Sequence, residues 1–273
     1  MSTENIQNYY TTLNGDFLSP SQLSSIDEGE SMIKALNYMN IDYVCFGNHE
    51  FDIPKKSLSN RITEFDGKWL STNILEFNDT MRYSISNQGG IKIAWLGICM
   101  DNLEDYTRYP VKVNNFIDST KQTIQQIKNK HNDVDIFIAM THQDYDKDVE
   151  LVKRIPDINL VLGGHEHYPI IQLINNTNII KVGMDANSVA KIKIKKINNK
   201  VNITYDILHL IDFPHLQPHK KLTDYIYDLN GLIRNIDNKN IFTLHNFTST
   251  RNIRSNANKI YLCQKILSVI KKY

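Results

Sequence analysis

Five runs of strand length, YTTL (10–13), YVCF (43–46), IKIAWLGI (91–98), VDIFIAM (134–140) and NLVLGG (159–164), follow one another along the chain, with stretches of helical periodicity between them. Met32, Ile33, Leu36 and Met39 make one apolar helical face behind a capping-box pattern at Ser25-Ile26-Asp27-Glu28. Two further helices are predicted over about 117–130 and 148–155. Strands that alternate with helices imply a sheet covered by helices on both faces, so the pattern predicts an α/β fold. Beyond Pro169 the alternation gives way to strands in succession, IIQLI, NIIKV, AKIKIKKI and VNITYDILHL, which predicts a meander completing a second sheet. The segment DFPHLQPHKK (212–221) breaks this order with proline and histidine. A boundary is predicted there, between a main domain 1–211 and a remainder 212–273 that opens with a helix over about 222–236.

Charge narrows the class of function. Against 30 Asp and Glu the chain has 31 Lys and Arg, a formal net charge of +1, which gives no basis for bulk attraction to nucleic acid or to an anionic membrane. The basic run KIKIKKINNK (191–200) alternates lysine with isoleucine and reads as a half-exposed strand with a solvated face. Cys45, Cys99 and Cys263 are an odd number of cysteines, the first two inside apolar runs, and read as reduced residues. The N-terminus lacks the basic and apolar regions of a signal peptide, and the longest apolar stretch is too short to span a bilayer. A cytoplasmic protein is the expectation.

The residues just past the strands are all metal-ligand types: Asp16 after the first, Asn48 and His49 after the second, His142 after a third, His165 and His167 after a fourth. In open α/β sheets ligands bind beyond the carboxyl ends of the strands, so residues scattered in sequence can converge there. Imidazole nitrogen with carboxylate and amide oxygen suits Zn, Mn, Fe, Co or Ni, and no cysteine cluster suggests a structural thiolate site. Gly15, Gly47, Gly163 and Gly164 precede these residues, where a missing Cβ lets backbone approach closely.

GD (15–16), GNHEFD (47–52), TH (141–142) and GGHEH (163–167) resemble, in order, four of the five motif blocks of the calcineurin-like metallophosphoesterases. GDFLSPS and GNHEFD are similar to the 5′-nucleotidase and UDP-sugar hydrolase branch. The resemblance covers about residues 10–210 and implies a four-layer α/β/β/α sandwich with metal ligands at the strand ends. It implies two divalent cations, from Zn, Mn, Fe, Co, Ni or Mg, bridged by Asp16. Asn48, His142 and His165 would complete the second site and His167 would belong to the first. It also implies a catalytic dyad in which His49 protonates the leaving oxygen and Asp52 orients the imidazole. Glu50 and Glu166 read as supporting residues within the motifs.

The family's opening motif, Asp-x-His on a first strand, has no counterpart here, since no histidine precedes His49. The expectation is a missing first strand, a complete second metal site and a first site reduced to His167 and Asp16. The 248–266 segment resembles the start of the branch's C-terminal, base-stacking domain, reduced to a remnant. A phosphomonoester hydrolase acting on a small-molecule phosphate ester, a nucleoside 5′-monophosphate above all, is the leading expectation. A phosphodiesterase or sugar-nucleotide hydrolase, and a metal- or phosphate-binding pseudoenzyme, are the alternatives.

Overall fold

The structure, a computed structural model, describes residues 9–198 and 200–237. Three parallel strands, β1 (Thr12–Asn14), β2 (Tyr43–Cys45) and β3 (Lys68–Leu70), form a small sheet in that order. The connections between them carry α1 (Ser24–Asp27), α2 (Glu30–Tyr38) and α3 (Lys55–Glu64). Ile33 and Leu36 of α2, with Leu58 and Ile62 of α3, pack on Val44, Phe46 and Trp69 in one buried cluster.

The second sheet has six strands. β4 (Tyr83–Gln88) and β5 (Ile91–Cys99) are joined as a hairpin, followed by α4 (Phe116–Lys130), β6 (Ile136–His142), α5 (Tyr145–Arg154), β7 (Ile158–Gly163), β8 (Pro169–Ile174) and β9 (Thr177–Val182). The strand order is β4-β5-β6-β7-β9-β8, parallel within and antiparallel at both edges. Alternation along β5 assigns its two faces. Ala94, Leu96 and Ile98 meet Ile117, Ile124 and Ile127 of α4 and Leu151 and Val152 of α5. Ile91, Ile93 and Trp95 turn the other way, onto Tyr43, Cys45 and Leu70 of the small sheet. The Tyr43 and Trp95 rings stack there at 4.7 Å.

Each sheet thus wears helices on one face only and its partner sheet on the other, giving the α/β/β/α sandwich. Alternation alone suggested helices on both faces. The runs are apolar on both faces because one buries against helices and the other against a second sheet.

Three local expectations change. The reciprocal capping pair is Ser21 with Ser24, Ser21 N–H to Ser24 Oγ at 2.8 Å and Ser24 N–H to Ser21 Oγ at 2.9 Å. Glu28 lies past the first helix in the left-handed region, φ 52°, and so ends a turn instead of capping one. Met32 and Met39 are exposed, leaving Ile33 and Leu36 as the buried stripe of α2. The late strands do not form one meander: β8 and β9 join the large sheet, with β9 inserted parallel to β7, whereas β10 (Ser188–Ile197) and β11 (Lys200–His209) form a separate antiparallel pair. Isoleucines of that pair pack on the inter-sheet cluster, and its lysines face outward or lie half-exposed.

The chain divides into two compact units, Met1–Pro218 and His219–Tyr273, the division falling inside the 212–221 segment. In the second unit, helix α6 (Lys220–Asp237) is the described element. Cys263 and the 248–266 segment lie outside the described residues, as do residues 1–8. Cys45 and Cys99 are buried free thiols, pushed up by burial and so kept protonated. Among the described residues no helix is long and apolar enough to cross a membrane.

Candidate metal centre

Both sheets point parallel strand ends at one place. β1 runs into Asn14-Gly15-Asp16 and β2 into Gly47-Asn48-His49, while β6 ends on His142 and β7 on Gly163, just before His165. Asp16, His142 and His165 each offer a ligand atom, all within 4.8 Å of one another. His142 is nearly inaccessible, and its Nδ1–H donates to the Asn14 carbonyl at 2.7 Å. A carbonyl can only accept, so this bond fixes the tautomer and leaves Nε2 turned inward. That Nε2 stands 2.9 Å from Asp16 Oδ2 without a hydrogen bond of good geometry. The second Asp16 oxygen accepts the His49 N–H at 2.9 Å.

Electrostatics follow from this packing. Burial works to lower the His142 imidazole, and the Asp16 carboxylate overrides it and leaves it raised. Burial works to raise Asp16, and His142 overrides that and leaves it lowered. Asp16 and His165 both hold left-handed backbones, φ 54° and 80°. Such positions cost about 1–3 kcal/mol each and cluster at functional sites.

The remaining residues named from the sequence are placed as follows. Asn48 is buried and its Oδ1 has no partner, a costly arrangement unless something accepts its lone pairs. His49 and Asp52 bracket a short 3-10 turn, with His49 Nδ1 2.6 Å from Asp52 Oδ2. His167 is exposed and is not part of the Asp16–His142–His165 group. Glu50 is fully buried and accepts four N–H groups: Asp16 (2.8 Å) and Gly47 (2.6 Å) on Oε2, Phe17 (2.8 Å) and Leu18 (3.0 Å) on Oε1. It clasps the loop after β1 to the loop after β2.

Gly164 shows why the Gly-Gly pair is required. A Cβ on it would stand 2.2 Å from the Asn14 carbonyl oxygen and 2.8 Å from His142 Nδ1, inside the bond that sets the histidine. Sequence reasoning missed Asn14, whose part is played by its backbone, and Asp144, whose Oδ1 lies 3.3 Å from His165 Nε2. Asp144 had a signal, an acidic residue two places after His142 at the same strand end.

Two imidazoles, a carboxylate and an unpartnered amide oxygen fit a divalent cation of the borderline type. A sandwich with such ligands on parallel strand ends defines the metallophosphoesterase class. The chain belongs to the calcineurin-like phosphoesterase family, whose model matches residues 3–169, more than half of the sequence. It is 28% identical over 184 residues to the protein UshA of Yersinia enterocolitica, covering 59% of this chain and 33% of that one. It is 26% identical over 162 residues to the NAD 5′-nucleotidase of Haemophilus influenzae, covering 56% and 27%. A solved 5′-nucleotidase precursor from Thermus thermophilus shares the fold, with a TM-score of 0.71 at 14% identity over 84% of this chain and 50% of the other. The chain spans a third or less of the length of these two curated relatives.

Proposed function

We propose that this chain hydrolyses phosphate monoesters in a metal-dependent reaction, with nucleoside 5′-monophosphates as the substrate class. The observation that carries this reading is the meeting of Asp16, His142 and His165, from two sheets, close to the loop that bears Asn48 and the hydrogen-bonded His49–Asp52 pair. The nucleotide part rests on the relatives, one of which is an NAD 5′-nucleotidase.

Asp16, Asn48, His142 and His165 would hold one cation, and Asp16 with His167 a second. Cations there would polarise the phosphoryl oxygens and lower the pKa of a bound water. Asp52 accepts the His49 Nδ1–H and leaves Nε2 to carry a proton to the departing ester oxygen. Glu50 keeps Asp16 in register with the His49 loop through its four N–H bonds.

The test is His142→Ala. Metal per chain, by elemental analysis, is expected to fall by at least one equivalent, and turnover of an aryl phosphate to fall with it, while the far-ultraviolet circular dichroism is unchanged. Full metal content in that variant would sink the ligand assignment. A second reading, a one-cation binder without turnover, is favoured by a single observation: among the described residues one group of metal-type side chains is gathered, not two. One cation per wild-type chain with no turnover of AMP or aryl phosphate would select it.

A further inference from the structure

Lys181, on β9, is fully buried, and lysine is almost never so unless its ammonium is paired. Its Nζ lies 2.9 Å from Asp148 Oδ2 and against Glu166 Oε2. It also donates to two backbone carbonyls, Gln143 O at 2.7 Å and Gly164 O at 2.9 Å. Gln143 directly follows His142, and Gly164 directly precedes His165. One ammonium therefore grips the peptide units adjoining both histidines of the metal group. The carboxylates extend the grip: Asp148 Oδ1 accepts Gln143 Nε2–H at 2.9 Å, and Glu166 Oε1 accepts the Tyr145 N–H at 2.5 Å. A Cβ on Gly163 would stand 2.7 Å from Lys181 Cε, so the first glycine of the pair makes room for the lysine stem.

We propose that Lys181 is a positioning residue, whose hold on the Gln143 and Gly164 carbonyls fixes the separation of His142 and His165 and so sets the affinity of the site for a divalent cation. The proposal rests on the metal reading above. Neutralising Asp148 and Glu166 would by itself account for a buried cation, but it would not require the two carbonyl contacts. Carbonyl dipoles converging on Nζ tie the cation to the loops as well as to the acids. Partners that orient metal ligands from outside typically change metal affinity by about 10- to 100-fold when removed.

Cobalt(II) is the probe, added to metal-free full-length protein and followed by its visible absorption and by competition with a chelator. Lys181→Met is expected to weaken binding by about 10- to 100-fold and to alter the absorption band. Because that variant leaves the buried Asp148 and the partly buried Glu166 unbalanced and can fail to fold, the deciding protein is Lys181→Met/Asp148→Asn/Glu166→Gln, which removes the charges together. Its unfolding in urea is expected to be cooperative, with cobalt(II) binding still weakened by a similar factor. Wild-type affinity in the triple variant would overturn the proposal and leave charge neutralisation as the role of Lys181. A wild-type protein that binds no cobalt(II) overturns the metal reading itself, and this proposal with it, a result unlike unchanged affinity among the variants.

Discussion

His49→Asn is expected to keep the metal content of the wild type and to lose turnover of AMP by about 10²- to 10⁴-fold, the usual contribution of a positioned proton donor. The separation of effects follows from the geometry. The His49 backbone N–H, which the substitution retains, holds Asp16 Oδ1 at 2.9 Å, whereas the ring points to Asp52 through a 2.6 Å bond. Asparagine preserves the backbone contact and removes only the titrating ring. The loss should shrink for an ester whose leaving group is already a stable anion, because such a group needs no proton. Comparing a nitrophenyl ester with AMP measures this. Equal rates for variant and wild type on AMP would remove His49 from the mechanism.

Glu50→Gln is expected to destabilise the main unit by about 4 kcal/mol, the cost of two stranded donors and their repulsion. A glutamine oxygen can still accept two of the four N–H groups, but its amide nitrogen would face the other two donors. Each buried donor left without a partner costs about 1–3 kcal/mol. The same four bonds bear on ionisation. Burial pushes the Glu50 carboxyl up and the nearby Asp16 charge adds to that, while the N–H groups pull it down. Urea unfolding of the metal-free protein measures the cost apart from any cation. A change below about 1 kcal/mol would show that water or a shifted loop replaces the lost acceptor.

The strand-end residues were legible because two simple signals coincide in them. Apolar runs of strand length mark β2, β5, β6 and β7, and polar metal-ligand types follow each of the runs that carry the site. β3 and β4 escaped because KWL is three residues long and YSISNQ has only two apolar residues, Tyr83 and Ile85, among four polar ones. Lys181 escaped for a different reason. In NIIKV a lysine beside isoleucines reads as a solvent-facing residue, and only the insertion of β9 between β7 and β8 turns it inward. A residue whose role is set by which strands are neighbours leaves no mark in its own stretch of sequence. The capping box failed on backbone grounds, since Ser-x-x-Glu matches at 25–28 but Glu28 and Gly29 both adopt positive φ.

The centre is also a seam. Asp16 and Asn48 follow strands of the small sheet, and His142 and His165 lie at strand ends of the large one, and Asn14 stands 128 positions before the His142 ring it holds. None of the site can form before the two sheets have docked, so cation binding there would be linked to docking, one equilibrium seen from two sides. A ligand that binds only the docked state stabilises it by about 2.7 kcal/mol at about one hundred times its dissociation constant. A cation held there would therefore act as a clasp on the sandwich: it would brace the sheets between parts of the chain that are remote in sequence, and its chelation would soften the core well before any side chain is changed.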